Sequence, residues 1–132
     1  MVSELARPRG EQRVKDRVAA LRGSDLFLSV ITIGEIAKGV ALLPPGDRRD
    51  GFSDFLLGLE QNYSSRILSI DSDTAHIWGE VTATARQRGK TVAVSDGLIA
   101  ATALRHGLHV MTRNVSDFAD TGALLVNPWA DA

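Results

Sequence analysis

Three short apolar runs in this chain each give way to a carboxylate within a few residues. Leu26 to Ile31 leads into Thr32-Ile33-Gly34-Glu35, Thr91 to Val94 into Ser95-Asp96, and His109 to Met111 into Thr112-Arg113-Asn114-Val115-Ser116-Asp117. The stretch Val94 to Ala103 constrains the fold most, because it drops an acid into the junction between a strand or loop and a helix. In an open parallel sheet, residues just past the strands lie along the carboxyl edge, where ligands bind. Three carboxylates gathered there repel one another, so the arrangement calls for a cation. Hard oxygen donors suit Mg²⁺ or Mn²⁺.

The rest of the pattern supports an alternating α/β chain. Val14, Val18 and Leu21 recur at helical spacing, with Gly23 as a stop. Ile33, Ile36, Ala37, Val40 and Leu43 form a helical stripe that ends at Pro44-Pro45-Gly46. Phe52, Phe55, Leu56 and Leu59 predict another helix, and Ala75, Trp78, Val81 and Ala85 a third that Gly89 closes. Ser95 to His106 is predicted helical, closed by Gly107; Arg66–Ile70, Leu108–Thr112 and Gly122–Val126 are predicted strands, and Thr91–Val94 is open between strand and loop. Strands alternating with helices predict a parallel sheet covered on both faces. At 132 residues the expectation is a single domain spanning 1–132.

Composition narrows the function classes. The chain has no Cys, which excludes a disulfide framework and a thiolate metal site. No apolar run reaches the length of a membrane span, and charges at Glu4, Arg7, Arg9 and Glu11 interrupt any signal-peptide core, so a cytoplasmic location is expected. A net charge of −1 gives no bulk attraction to nucleic acid. The basic groups Arg7, Arg9, Arg13; Arg48, Arg49; and Arg86, Arg88, Lys90 read first as solvated helix ends. The last group lies nearest Asp96 in sequence and is the first choice for RNA phosphate contacts.

Each acid also has a structural reading. Thr32-x-x-Glu35 has the form of a capping box. Asp96 in a first helical turn, with Ser95 as N-cap, complements the helix dipole. Asp117 sits in turn-rich sequence. The separate readings do not predict that all three acids follow strands in α/β order, and that coincidence favours a shared metal site. Metal-assisted hydrolysis of a phosphodiester fits such a site. Covalent catalysis does not, for want of Cys, a Gly-x-Ser-x-Gly motif or a Ser/His pair. His76, His106 and His109 lack metal-ligand spacing and read as structural or solvated.

These motifs resemble the PIN-domain ribonucleases, in particular the VapC/FitB-like toxins of bacterial toxin–antitoxin pairs. Ser29 to Gly39 is similar to the family's glutamate helix, Ser95 to Ala103 to its central aspartate motif, Thr112 to Phe118 to its last acidic motif, and Asn127-Pro128-Trp129 to its closing segment. The resemblance implies a three-layer α/β/α fold with a central, mostly parallel sheet. It implies a Mg²⁺- or Mn²⁺-dependent endoribonuclease in which Glu35, Asp96 and Asp117 hold metal and act in catalysis, supported by Thr112 and Asn114. It also implies a homodimer and inhibition by a cognate antitoxin.

The resemblance departs at the N terminus. The family opens with an apolar strand ending in Leu-Asp-Thr-Asn, whose Asp is a metal ligand; Met1 to Leu5 here resembles the segment after that strand, and Glu4 is a poor substitute. The expectation is therefore an N-terminally incomplete domain that lacks the first central strand. A second function class follows: a catalytically impaired PIN-like module that dimerises and binds an antitoxin without cutting RNA. A receiver-like signalling domain ranks lower, because no Lys follows Lys90.

Overall fold

The computed structural model describes residues 4–6 and 26–127. The predicted helix over Val14–Leu21, the Arg7, Arg9 and Arg13 group and most of the Asn127-Pro128-Trp129 segment lie outside the described residues. In chain order the elements are β1 (Glu4–Ala6), β2 (Leu26–Ser29), α1 (Val30–Leu42), α2 (Asp47–Asn62), β3 (Ile67–Leu68), α3 (Ser72–Gln87), α4 (Val94–His106), β4 (His109–Met111), α5 (Val115–Phe118) and β5 (Leu125–Val126). The sheet order is β3-β2-β1-β4-β5.

The middle of the sheet is not left open, as the sequence suggested. Glu4–Ala6 fills it, pairing Leu5 with Phe27 on one side and with Val110 on the other. This strand runs antiparallel to both neighbours, whereas β2–β3 and β4–β5 are parallel. Four of the five strands thus run the same way, and the sheet is mostly parallel with one antiparallel strand at its centre. The inner edges of β2 and β4 carry backbone donors and acceptors that need partners, and a three-residue strand supplies them in either direction. Because β2 and β4 both oppose β1, they run parallel to each other and their carboxyl ends share one edge. That edge is where α1 departs and where the Thr112–Asp117 segment begins.

Strand β2 is shorter than its apolar run. Ser29 ends it and caps α1, its hydroxyl accepting a hydrogen bond from the Ile31 N–H at 3.0 Å. Ser29 is fully buried, so no water replaces that acceptor if it is removed. Ser29→Ala is expected to lower stability by about 1–2 kcal/mol, read as a lower urea midpoint with unchanged slope; an unchanged midpoint would show that the cap contributes nothing.

The core gathers on α4. Ile99, Ala100 and Ala103 pack with Leu108, Val110 and Phe118, and Phe27, Ile31, Leu68, Ala123 and Leu125 close the cluster. Six of the thirteen α4 residues are buried, on nearly every side, as in a helix enclosed by neighbours. Its alanines keep the helix thin enough for α3 to pack closely. Gly107 ends α4 at φ +66°, the left-handed conformation that favours glycine. Arg105 near the end of α4 reaches Asp73 at the start of α3, 3.5 Å away, so the two helices are antiparallel. The end of α3 therefore lies beside the start of α4. Helix α2, by contrast, has no buried residue and packs on α1.

Candidate active site

Three segments far apart in sequence line one cavity of about 140 Å³ at the shared carboxyl edge. Helix α1 contributes Thr32, Glu35 and Ile36, helix α4 contributes Ser95, Asp96 and Ile99, and the segment after β4 contributes Asn114, Asp117 and Phe118. The spacing explains the selection: residues three or four apart share a helix face, so Thr32 stands over Glu35 and Ile36, and Ser95 and Asp96 over Ile99. Ile36, Ile99 and Phe118 supply the apolar part of the lining, and the acids, hydroxyls and Asn114 the polar part.

The capping-box reading of Glu35 does not survive. With Ser29 at the N-cap, Thr32 lies inside α1 as a buried residue, and Glu35 is in its second turn. Asp96 does occupy the first turn of α4, but the N-cap is Ala93 rather than Ser95, and no side chain caps that end. Asp117 lies in the short helix α5, its N–H donating to the Asn114 carbonyl at 3.0 Å. Thr112 does not line the cavity. It is fully buried, and its hydroxyl accepts from the Asn114 N–H at 3.0 Å, which fixes the turn that delivers Asn114 and Asp117.

The electrostatics tie the three acids together. Burial pushes the Asp96 carboxyl above its ordinary range, and the negative charges of Asp117 and then Glu35 push it further in the same direction. A site that raises a carboxyl's pKa with like charges is one that a cation would relieve. Among the described residues, no three acidic, His or Cys side chains converge tightly enough to form a ready three-ligand metal cage. The donor set nevertheless fits a hard cation held partly through water: every polar lining group can offer oxygen, and Mg²⁺ keeps several waters when carboxylates bind it.

Sequence reasoning did not single out Ser95, or Thr32 other than as a cap, as parts of this cavity. Their signal was adjacency: Thr32 lies one turn before Glu35, and Ser95 immediately before Asp96. Arg86, Arg88 and Lys90 are not among the lining residues. Arg88 borders a different cleft, with Glu80 and Asp120.

Comparison with known proteins identifies the family. A family model described as PIN domain matches residues 2–124. Toxin FitB of Neisseria gonorrhoeae is 36% identical over 135 residues, spanning 99% of this chain and 95% of that protein. VapC ribonuclease Y4jK of Sinorhizobium fredii is 35% identical over 133 residues, spanning 100% of this chain and 95% of that protein. Among solved structures, FitAcB from Neisseria gonorrhoeae superposes with a TM-score of 0.79 at 35% identity, covering 95% of this chain and 91% of the other. An acidic cavity at the sheet's carboxyl edge, a match along nearly the whole chain and relatives aligned end to end agree: this chain belongs to the PIN-domain family, in its VapC/FitB-like branch.

Proposed function

We propose that this chain is a divalent-metal-dependent endoribonuclease and the toxin of a toxin–antitoxin pair. The observation that carries the reading is the meeting of Glu35, Asp96 and Asp117 on one cavity, from three separate segments, in a chain of this family. The relatives add direction, since one is named a toxin and another a VapC ribonuclease. Among the described residues no helix is long and apolar enough to cross a membrane, and the cytoplasm is where such a chain would meet RNA and an antitoxin.

Glu35, Asp96 and Asp117 would hold Mg²⁺ or Mn²⁺, in part through water. A cation held there would supply a more acidic water and neutralise charge on the attacked phosphate. Asn114 lines the same cavity as Asp117, and Thr112 holds the turn on which both sit. Ile36, Ile99 and Phe118 keep water from one side of the acids and so strengthen their field. Arg86, Arg88 and Lys90, at the end of α3 that lies beside the start of α4, receive the flanking RNA backbone. The chain acts as a homodimer and is silenced by a small protein antitoxin.

The test is incubation of the purified chain with single-stranded RNAs in Mg²⁺ or Mn²⁺, with and without EDTA. Internal cleavage that EDTA stops is the expected result. Cleavage that persists in EDTA would refute the metal dependence. A chain that dimerises and binds an antitoxin, yet binds no Mn²⁺ and cuts nothing, would establish the impaired-module reading instead.

A further inference from the structure

We propose that Trp78 is a positioning residue for the acidic cavity: its indole, seated on the backbone at Gly97, sets where the first turn of α4 holds Asp96. The proposal rests on the nuclease reading only where metal binding is its readout.

Gly97 is buried beside Asp96, and the space where a side chain would start is already taken. A Cβ there would meet Trp78 Nε1 at 3.0 Å and Cδ1 at 3.1 Å, with Val92 Cγ1 at 3.7 Å. Among the glycines of the described residues, Gly97 alone has a neighbour within 4 Å of that point. A glycine is therefore what lets a flat ring lie against the helix at this position.

This turn also lacks the side-chain cap that α1 and α3 have. Helix α1 starts on the Ser29 hydroxyl, and α3 on the Asp71 carboxylate, which accepts from the Thr74 N–H at 2.8 Å. Helix α4 starts at Ala93 with no side-chain cap. Its far end is tied to α3 by the exposed Arg105–Asp73 ion pair, a weak kind of restraint. At the Asp96 end, packing must do what a cap does in α1 and α3, and Trp78 is the large rigid group in contact. Metal ligands need placement to within about half an ångström, so a ring resting one residue from Asp96 acts on the site without touching it.

The experiment compares Mn²⁺ affinity by calorimetry and thermal midpoint for the full chain, Trp78→Ala, Trp78→Phe and Val81→Ala. Val81 is buried on the same helix, so its truncation costs packing but leaves the Gly97 contact in place. Trp78→Ala is expected to weaken Mn²⁺ binding about tenfold, the scale on which groups supporting a metal ligand act. Trp78→Phe restores most of it, and Val81→Ala leaves affinity within about twofold while lowering the midpoint. Wild-type affinity in Trp78→Ala, or equal weakening in Val81→Ala, would overturn the proposal. Should Trp78→Ala not fold, Gly97→Ala perturbs the same contact from the other side and must weaken Mn²⁺ binding likewise. If the unmodified chain binds no Mn²⁺, the nuclease reading fails and amide exchange decides this one: exchange at residues 94–97 must be faster in Trp78→Ala than in Val81→Ala, and equal rates would refute it.

Discussion

Asp96→Asn is expected to abolish divalent-dependent RNA cleavage and, without metal, to raise the thermal midpoint at neutral pH. Both effects follow from one fact. Asp96 is partly desolvated and faces the charges of Asp117 and Glu35, so its carboxyl is held above the ordinary range. Its folded pKa therefore exceeds its unfolded one. Between the two, the folded state binds more protons, so stability falls as pH rises through that window and stays lower above it. The amide cannot ionise and removes the penalty, so the variant's metal-free stability should be flatter across the window. The same substitution removes the charge that draws the cation, and cleavage should fall on the order of a hundredfold or more, the scale of losing one preorganised electrostatic contact to a reacting group. Thermal scans in EDTA between pH 4 and 7, beside cleavage assays in Mn²⁺, test both halves. A variant that cuts RNA at the unmodified rate would remove Asp96 from the machinery. A variant whose midpoint falls would show that its carboxylate stabilises the fold, contrary to the electrostatics.

How much of this was legible beforehand depends on where side-chain pattern and backbone need agree. The stripe Ile33, Ile36, Ala37, Val40 and the stop at Pro44-Pro45 were plain, because apolar periodicity and a helix breaker say the same thing. The placement of Glu35 and Asp117 after strands is also legible and points to the sheet's carboxyl edge, whereas the stretch before Asp96 is loop and not the third strand that the apolar run suggests. The start of α1 was not. Val30-Ile31 is β-branched and extends the apolar run, so it reads as strand, yet the chain turns helical at Val30 because buried Ser29 offers a cap. That misplacement by a few residues is what made Thr32 look like a cap. The central strand was illegible for another reason. Three residues containing Glu4 carry too short a pattern to show alternation, and their pairing comes from the two strand edges they lie between. Trp78 reads from the sequence as part of a helix stripe, but that its ring rests on Gly97 is a property of two helices packed antiparallel, and no local pattern records it.

The largest loss of stability should come from Phe118→Ala. Phe118 is among the largest side chains buried in this fold and belongs to the core cluster with Ile99, Ala100 and Val110, while lining the acidic cavity beside Asp117. It is also the one buried residue of α5, a four-residue helix too short to persist alone. Truncation removes the transfer energy of the ring and leaves a void that core neighbours fill only in part, a cost of about 3–5 kcal/mol. Domains of this kind hold about 5–15 kcal/mol in all, so the thermal midpoint should drop by roughly 10–15 °C. Phe118→Leu keeps most of the volume and should cost about 1–2 kcal/mol. The pair separates anchoring from folding. If Phe118 holds α5 down and so sets Asp117, Phe118→Leu should retain most cleavage and Mn²⁺ affinity, whereas Phe118→Ala, measured well below its midpoint while still folded, should bind Mn²⁺ more weakly. Urea titrations and calorimetry on both variants provide the test. A Phe118→Ala chain within about 1 kcal/mol of the parent would mean that the surrounding core collapses freely onto the gap, and that α5 is held by something other than this ring.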